Sequence, residues 1–490
     1  MLPQIRKRFA RTSSPNLIMV VICLGIFIAA LDQTVIYGAL PGMMKDINLP
    51  VTKLDQASWI VIGYLLGYTF AMPIMGRVSD VYGHGRIYLF SLVVFIVGSV
   101  LVALANNLQW VVGARIIQAI GGGAVVPIAM AIAGDIFVGK NRAIALGIIG
   151  AAVEAGGALG PFYGAALAQF WGWRWIFWIN LPISLIVILV VVLFLSPSPR
   201  TQGKIDYLDG FLLAVGLALF SLGISQQSGR PYFWLYILCF LAAAFLFFTF
   251  FILRVVRVSD PLVKLSMFRN VTFSTANLTN LFVGGALIIA MVNIPLMSDT
   301  IMGSSPLEGG LRLLRLTVML SVGAVAGGFL CKRFGYRLPT IMGLILSSIG
   351  FLFMSRWTLA IDDPQMTLHL AICGLGFGLV IAPIGTAVID SVSEDQKGIA
   401  SSLVVMMRMI GMIIGLSAIT AWGMDRFHLM TAGISLSEII AAPQKLTNSL
   451  LALFNNFFLA SVGICLVAVL PALWLGRKKK PSNITKTGTS

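Results

Sequence analysis

The sequence predicts an all-α protein that crosses a membrane many times, and three features support that fold class. First, 58% of the 490 residues are hydrophobic and only 11% are charged, which gives a mean hydropathy of +0.95 and excludes an ordinary soluble domain. Second, apolar runs of about 20 residues recur along the whole chain, and each is long enough to cross roughly 30 Å of hydrocarbon as a helix. Third, these runs lack the alternation of a membrane β-barrel.

Fourteen of these apolar runs are predicted to be transmembrane helices. Their approximate bounds in chain order are 17–40, 57–76, 87–105, 110–134, 143–167, 175–195, 208–226, 233–253, 271–296, 309–331, 338–356, 366–390, 398–424 and 450–475. An even number of spans puts both termini on one side, and most Lys and Arg residues lie in the connections of that side. By the positive-inside rule that side is the cytoplasm, so the net charge of +16 reflects topology and predicts no nucleic-acid partner.

The C-terminal half of the chain repeats the N-terminal half at an offset of about 255 residues. The repeated features are Gly76-x-x-x-Asp80-x-x-Gly83, which returns as Gly328-x-x-x-Lys332-x-x-Gly335, Gly122 and Pro127, which return as Gly378 and Pro383, and Gly156 and Gly160, which return as Gly411 and Gly415. Two homologous halves of this kind form two bundles around a central site. We therefore predict an N-terminal six-helix bundle in 1–200, a two-helix insert in 201–260, a C-terminal six-helix bundle in 261–476 and a basic cytoplasmic tail in 477–490.

The connecting segments and the cysteines lead to three structural expectations. We expect the insert to hold no acid or base at membrane depth, and therefore to shape the bundle or its lateral openings and not to couple protons. In the connection 425–449, the spacing of Ile434, Leu436, Ile439, Ile440 and Leu446 predicts a helix that lies at the outer interface. The five cysteines are scattered at span positions without metal-ligand spacing, so we expect neither a disulfide framework nor a metal site.

Two acidic residues fall inside apolar runs, Asp32 in the first and Glu154 in the fifth. An acid at membrane depth costs roughly 2.5–3.5 kcal/mol on insertion scales, so such a residue is a functional candidate by default. Because the surroundings of a carboxylate set its proton affinity, a helix that alternately faces each side can load and release a proton. We predict this role for both acids. The alternative is that a neighbouring hydroxyl or backbone group satisfies each acid, which then only holds helices together.

Two arginines, Arg115 and Arg408, are predicted to be buried in the fourth and thirteenth spans. Burial of an unpaired cation is unfavourable, so each needs a partner or access to water. Arg408 falls at nearly the same repeat position as Glu154, so the acid of one half and the cation of the other can face each other. We predict that Arg408 forms an ion lock or relay with Asp32 or Glu154. The alternative is a cation that snorkels or bonds backbone carbonyls.

Four motifs stand in order along the first half of the chain. They are Leu31-Asp32-x-Thr34-x-x-x-x-Ala39-Leu40-Pro41, Gly76-x-x-x-Asp80-x-x-Gly83, Arg115-x-x-Gln118-x-x-Gly121 and Gly156-x-x-x-Gly160-Pro161-x-x-Gly164. Together they resemble the major facilitator superfamily, in its fourteen-span drug:proton antiporter branch. The resemblance implies two six-helix bundles plus two inserted helices. It further implies a monomeric secondary active exporter in a bacterial inner membrane, driven by a proton gradient and without a cofactor.

The resemblance also implies a role for the antiporter motif of the fifth helix. Its members are Gly156, Gly160, Pro161 and Gly164. Without large side chains, the fifth helix is expected to approach its neighbour across the seam between the two halves and to bend there. The alternative is small-residue packing with no part in gating.

The loop between the second and third helices is expected to act in conformational change. The members of this loop motif are Gly76, Asp80, Gly83 and Arg86. Asp80 suits the positive end of the third helix. The family normally carries an arginine after this acid and a basic pair after the second glycine, and here those places hold Val81, His84 and Gly85. Arg77 and Arg86 are then the nearby cations.

A second similarity concerns the cargo. Ser58-Trp59-Ile60, Glu154 and Met407-Arg408-Met409-Ile410-Gly411-Met412 resemble mycobacterial lipid exporters that work with a lipoprotein and move triacylglycerides. This similarity implies a lipid cargo, and it leaves open whether an accessory lipoprotein is needed. The antiporter branch as a whole implies cationic or lipophilic drugs as the alternative cargo. A membrane-bound lipid-modifying enzyme is a remote alternative, because only three histidines exist and none has an HxxxxD acid partner.

Overall fold

The computed structural model describes residues 15–137, 140–195, 207–224, 232–258, 265–393, 396–431 and 443–476. Within these ranges every long element is an α-helix and no strand occurs, so the all-α class is confirmed. The long helices are α1 (Pro15–Asp46), α2 (Trp59–Tyr82), α3 (His84–Ala103), α4 (Leu108–Ile136), α5 (Lys140–Phe170), α6 (Arg174–Phe194), α7 (Leu208–Ile224), α8 (Phe233–Arg257), α9 (Val271–Thr300), α10 (Pro306–Phe334), α11 (Arg337–Met354), α12 (Asp363–Asp390), α13 (Lys397–Thr431) and α14 (Pro443–Ala472). The predicted tail 477–490 lies outside the described residues.

The helices suit a protein that crosses a membrane many times, but the number of spans differs from the prediction. Within the described residues, 11 helices have the length and hydropathy of a span. The number is 12 if Val51–Met72 and Ile74–Tyr82, which are bent by 41° at their junction, form one span. α7 is a shorter apolar helix of 17 residues. The predicted number of fourteen spans is therefore not confirmed, whereas an all-helical fold with many spans is.

α13 and α14 extend into the connection where the apolar spacing predicts a separate interfacial helix. α13 continues to Thr431 and α14 begins at Pro443, so the prediction is wrong for 425–431 and 443–449. Phe427 is buried, which means that this end of α13 packs against the bundle. With 35 residues, α13 is about 52 Å long and exceeds the thickness of a bilayer with its head groups. Ile434, Leu436, Ile439 and Ile440 lie outside the described residues.

In the N-terminal half, α5 packs closely along α1 because three glycines of α5 face the backbone of α1. A Cβ atom on Gly156 would lie 2.5 Å from the carbonyl oxygen of Phe27, and one on Gly164 would lie 2.1 Å from that of Val35. Gly160, between them, is equally close to α1. These glycines therefore pack within one half and do not face the seam between the halves as expected.

Pro161, the remaining member of the antiporter motif, does lie at the seam. Its carbonyl oxygen would be 2.0 Å from a Cβ atom on Gly38 of α1 and 3.2 Å from one on Gly310 of α10. Because α10 belongs to the C-terminal half, this carbonyl group marks the junction of α1, α5 and α10.

The C-terminal half repeats the glycine packing at the positions that the sequence offset predicts. α13 packs on α9 through Gly411 and Gly415, the repeat positions of the first two glycines on α5. A Cβ atom on Gly411 would lie 1.8 Å from the Leu281 carbonyl oxygen, and one on Gly415 would lie 2.5 Å from Gly285 Cα. The two halves thus share one way of packing their fifth helix on their first.

The halves also share a turn. Gly83 follows α2 with φ of +95° and Gly335 follows α10 with φ of +76°, which are left-handed conformations that favour glycine. In each half, the side chain after this glycine reaches an acid at the C-terminal end of a later helix. The two pairs are His84 with Asp135 of α4 and Tyr336 with Asp390 of α12.

The two halves are joined firmly at one end of the bundle. We call the end that holds Asp46 the outer end, following the predicted topology, and the opposite end the inner end. At the outer end, Lys45 Nζ pairs with Asp299 Oδ1 at 2.7 Å, and the Leu307 N–H group donates to Gln169 Oε1 at 2.9 Å. These contacts connect α1 with α9 and α5 with α10.

Near the middle of α5 and α10 the Thr317 hydroxyl donates to the Ala158 carbonyl oxygen at 2.9 Å. One turn closer to the inner end, Glu154 lies on the same face of α5 as Ala158 and is exposed. The described contacts between α5 and α10 therefore extend from the outer end to the middle of both helices.

The two-helix insert attaches to both halves through α7. Gly210 of α7 packs against Ile74 of α2, and α7 also contacts α13. Near the inner end, Arg254 Nε of α8 pairs at 3.0 Å with the fully buried Asp209 carboxylate of α7. The expectation of an insert without an acid or base is therefore wrong. Asp209 is the second residue of the predicted run 208–226, where the sequence suggests an exposed helix end, and packing against α8 buries it.

We expect Gly160→Ala to destabilise the protein. A Cβ atom there would lie 1.9 Å from Thr34 Oγ1 and 2.7 Å from the Leu31 carbonyl oxygen, so α5 has to move away from α1. Overpacking of this kind costs about 1–3 kcal/mol. The matched control is Gly157→Ala on the same helix, where the added atom meets no neighbour within 4 Å and alanine favours the helix. Thermal unfolding in detergent is the measurement, and equal melting temperatures for the two variants would contradict close α1–α5 packing.

Candidate functional site

Asp32 lies in the middle of α1 and is fully buried. Its Oδ2 atom accepts a hydrogen bond from Arg115 Nη1 of α4 at 2.9 Å, and the two side chains form an ion pair with no exposed surface. The main-chain oxygen of Asp32 also accepts from Arg115 Nη2 at 3.4 Å. Removal of one partner from such a pair leaves an unmatched buried charge, which costs about 3–5 kcal/mol. The pair therefore locks α1 to α4.

Two amide side chains complete the hydrogen bonds of this carboxylate. Asp32 Oδ1 accepts from Gln118 Nε2 of α4 at 2.9 Å and from Asn180 Nδ2 of α6 at 2.8 Å. Gln118 Oε1 accepts from Arg115 at 2.8 Å, and Gln118 Nε2 also donates to Ser99 Oγ of α3 at 2.8 Å. Three side chains thus donate to one acid. The network joins α1, α3, α4 and α6, all within the N-terminal half.

Sequence spacing explains only part of this network. Arg115 and Gln118 are three residues apart, which puts both on one face of α4. The sequence does not single out Asn180 or Ser99. A lone amide inside the apolar run of α6 is a usable signal for Asn180, but a serine is too common in membrane helices to point to a site.

Aromatic rings surround the guanidinium group of Arg115. Its central carbon lies 4.0 Å from the centroid of the Tyr64 ring and 5.8 Å from that of Phe177, within the range of cation–π contacts. The Tyr64 ring lies 6.1 Å from the Tyr68 ring. Within the described residues, neither the Tyr64 hydroxyl nor Arg115 Nε has a hydrogen-bond partner. Buried polar atoms usually have a partner, so these two atoms can accept a bond from, or donate one to, a water or a bound molecule.

Arg408 is half-buried on α13 and lies close enough to Tyr37 of α1 and Tyr68 of α2 for its charge to act on both phenols. The neighbouring Met409 accepts at 3.3 Å from the Gln33 amide of α1, so this part of α13 lies at the seam between the halves. Within the described residues Arg408 forms no ion pair, and its buried Nε atom has no hydrogen-bond partner. The predicted lock with Asp32 is not formed, because Arg115 pairs with that carboxylate from within the same half.

Glu154 is exposed on α5. In the part of the chain that the structure describes, it forms no ion pair with Arg408 or with any other cation. The structure therefore brings two of the four predicted intramembrane charges together, Asp32 with Arg115, and leaves the other two without a partner. The proton-carrying roles of both acids stay predictions.

At the inner end, the predicted loop motif is organised around His84. Its Nδ1 atom lies 2.8 Å from Asp135 Oδ2 of α4, and its Nε2 atom lies 3.1 Å from Asp80 Oδ1. Ionised carboxylates only accept hydrogen bonds, so both bonds together require the imidazolium form of His84. This side chain takes the place of the basic residues that the family motif has beside the acid. Arg86 is exposed, and Gly76 lies within α2 with room for a larger side chain.

Comparisons with known proteins agree with this fold. The family model of the Major Facilitator Superfamily matches residues 22–260 and 274–490. The chain is 34% identical over 489 residues to a triacylglyceride transporter of Mycolicibacterium smegmatis, with 93% of this chain and 86% of the relative covered. It is 32% identical over 493 residues to a triacylglyceride transporter of Mycobacterium tuberculosis, with 93% and 94% covered. The predicted likeness to mycobacterial lipid transporters is confirmed.

Solved structures give the same architecture. A bacterial homologue of the human lysosomal transporter Spinster, in an inward-facing and unoccupied conformation, matches with a TM-score of 0.71 over 94% of this chain and 97% of that chain, at 17% identity. A D-xylose–proton symporter matches with a TM-score of 0.61 over 92% and 97%, at 16% identity. At such identities the likeness concerns the fold. Because the family model covers nearly all of its sequence, this protein belongs to the major facilitator superfamily.

Proposed function

We propose that this protein is a proton-coupled secondary active exporter of hydrophobic or amphipathic compounds, with lipids such as triacylglyceride as its cargo. It works as a monomer by alternating access in a bacterial inner membrane, with both termini in the cytoplasm. The observation that carries the proposal is the fully buried Asp32–Arg115 pair, because ionisable groups at membrane depth are expensive and are kept for a function. The names of the mycobacterial relatives support lipid as the cargo.

Coupling follows from the dependence of Asp32 on Arg115. While the pair is intact, the cation and two amide donors stabilise the charged carboxylate. When α1 and α4 shift so that Arg115 withdraws, burial favours the neutral acid, and Asp32 takes up a proton. Proton uptake and helix movement are then one event, which is the requirement for coupled transport.

One proton per cycle is sufficient for useful export. A proton that crosses about 100 mV releases roughly 2.3 kcal/mol. Since about 1.36 kcal/mol corresponds to a tenfold ratio, this energy supports a cargo gradient of about fiftyfold.

The seam between the halves supplies the conformational part of the cycle. The contacts of Lys45 with Asp299 and of α5 with α10 join the two halves at the outer end and near the middle of the seam. In the opposite state these outer contacts separate and the inner ends approach. Glu154 then meets Arg408, and each gains the partner that it lacks here.

Asp32→Asn is expected to abolish accumulation, because asparagine cannot carry a proton. In liposomes with an imposed pH gradient, the wild type is expected to accumulate a fluorescent triacylglyceride analogue up to about fiftyfold, and the variant only to equilibrate it. Asp363→Asn is the matched control, since this acid is exposed at the outer end of α12. Thermal unfolding identifies loss of fold. A folded Asp32→Asn variant that still accumulates cargo would remove the support for this acid as the proton carrier.

The cargo is tested in the same liposomes. The lipid analogue and ethidium are offered in parallel under one pH gradient. We expect movement of the lipid. Accumulation of ethidium with the lipid ignored would contradict the lipid cargo and favour the multidrug antiporter.

Charge reversal tests the pairing of Glu154 with Arg408. Each single variant, Glu154→Arg and Arg408→Glu, is expected to lower the initial transport rate by about tenfold, and the double variant to lose less than the product of the two single losses, because contacting charges couple by about 0.5–3 kcal/mol. Arg426→Glu, an exposed position on the same helix, is the control. Losses that multiply in the double variant would count against the lock.

A further inference from the structure

We propose that Arg408 recognises acceptor oxygens of the cargo, either the ester carbonyls of a glyceride or the carboxylate or phosphate oxygens of a related lipid. This inference rests on the proposed function, because it names the head-group chemistry of that cargo. At the seam, several hydrogen-bond donors lie near one another, and the described residues supply no strong acceptor for them.

Arg408 lies too deep to reach water at the end of its helix. It is 11 residues from Lys397, the first residue of α13, which corresponds to about 16 Å along the axis. That distance is much longer than an arginine side chain, so snorkelling to the inner end does not account for the burial of its Nε atom.

Several other donors lie near Arg408. The side chains of Tyr37 and Tyr68 are almost fully buried and lie within range of its charge, and neither hydroxyl forms a hydrogen bond with another residue in the described ranges. The Gln33 amide donates at 3.3 Å only to the sulfur of Met409, which is a weak acceptor. A buried donor without an acceptor, such as Arg408 Nε, is unfavourable, and acceptor oxygens of a bound cargo satisfy it together with its neighbours.

Within the described residues, the two predicted intramembrane acids do not supply these acceptors. Asp32 already accepts from Arg115 and two amides. Glu154 is exposed on α5 and forms no ion pair there. In the described part of the chain, Arg408 therefore adds an uncompensated positive charge to the seam.

The chemistry of a guanidinium group defines what fits. Its planar set of N–H donors matches the paired oxygens of a carboxylate, a phosphate or neighbouring ester carbonyls, and the two phenols add further donors. A cationic drug meets repulsion at the same place. The site therefore favours an acylglycerol or an anionic lipid over a cation.

The test is equilibrium displacement of a fluorescent glyceride from the purified full-length protein in detergent. The competitors are trioleoylglycerol, its tri-oleyl ether analogue, which has no carbonyl groups, and dioleoyl phosphatidic acid. We expect the wild type to bind the ester or the phosphatidic acid at least about tenfold more tightly than the ether, as hydrogen bonds to a charged group do. The tighter of the two identifies carbonyl or phosphate oxygens as the ligand.

Arg408→Met is expected to reduce this preference to less than about threefold, and Arg426→Met, the same change at an exposed position of α13, to leave it intact. If Arg408→Met does not fold, the Tyr37→Phe/Tyr68→Phe double variant replaces it and is expected to weaken the preference. A wild type that binds ester, phosphatidic acid and ether alike, or a folded Arg408→Met or double Phe variant with an unchanged preference, overturns the inference. Oxygen preference without pH-driven lipid movement contradicts only the proposed function, and pH-driven movement of ester and ether alike contradicts only this inference.

Discussion

A charge placed in a low-dielectric interior must be matched by an opposite charge or by dipoles directed at it, and this constraint governs the structure. In the N-terminal half, Asp32 and Arg115 satisfy each other with no exposed surface. In the insert, Arg254 pairs with the fully buried Asp209 carboxylate. Arg408 has no such match within the described ranges, and it lies where the two halves meet. The two fully buried acids thus find their partners within one half or within the insert, whereas Arg408 lies unpaired at the seam.

Close backbone packing is what makes the compensated pair possible. Gly156 and Gly160 bring α5 onto the backbone of α1, and the Thr34 hydroxyl donates to the Gly157 carbonyl oxygen at 3.0 Å. These contacts fix the rotation of α1 about its axis. Asp32 lies on another face of α1 and points toward α4 and α6, which carry its hydrogen-bond donors. A change in the α1–α5 contact therefore alters the position of the Asp32 carboxylate through the rotation of α1, without a direct contact to that carboxylate.

How much the sequence predicts depends on whether a feature is local. The helices, the glycine offset and the charges inside apolar runs are local patterns, and the structure contains them. Partner choice is not local. The sequence favours Arg408 as the partner of Asp32 or Glu154. The structure pairs Asp32 with Arg115 instead, because packing decides which helices are neighbours. The burial of Asp209 is not predicted for the same reason. α13 continues beyond its predicted end because residues such as Phe427 pack against the bundle there.

The repeat also identifies where the halves stop being equivalent. Gln118 contacts a glycine of α3 in the same way as Cys373 contacts a glycine of α11, so the two residues occupy corresponding positions. Three residues earlier, Arg115 corresponds to Leu370, and both are fully buried. The C-terminal half thus has apolar packing where the N-terminal half has a charged network. Apolar packing does not respond to protonation, so on the proposed mechanism a proton changes the contacts of one half, and the other half moves against it as a rigid partner.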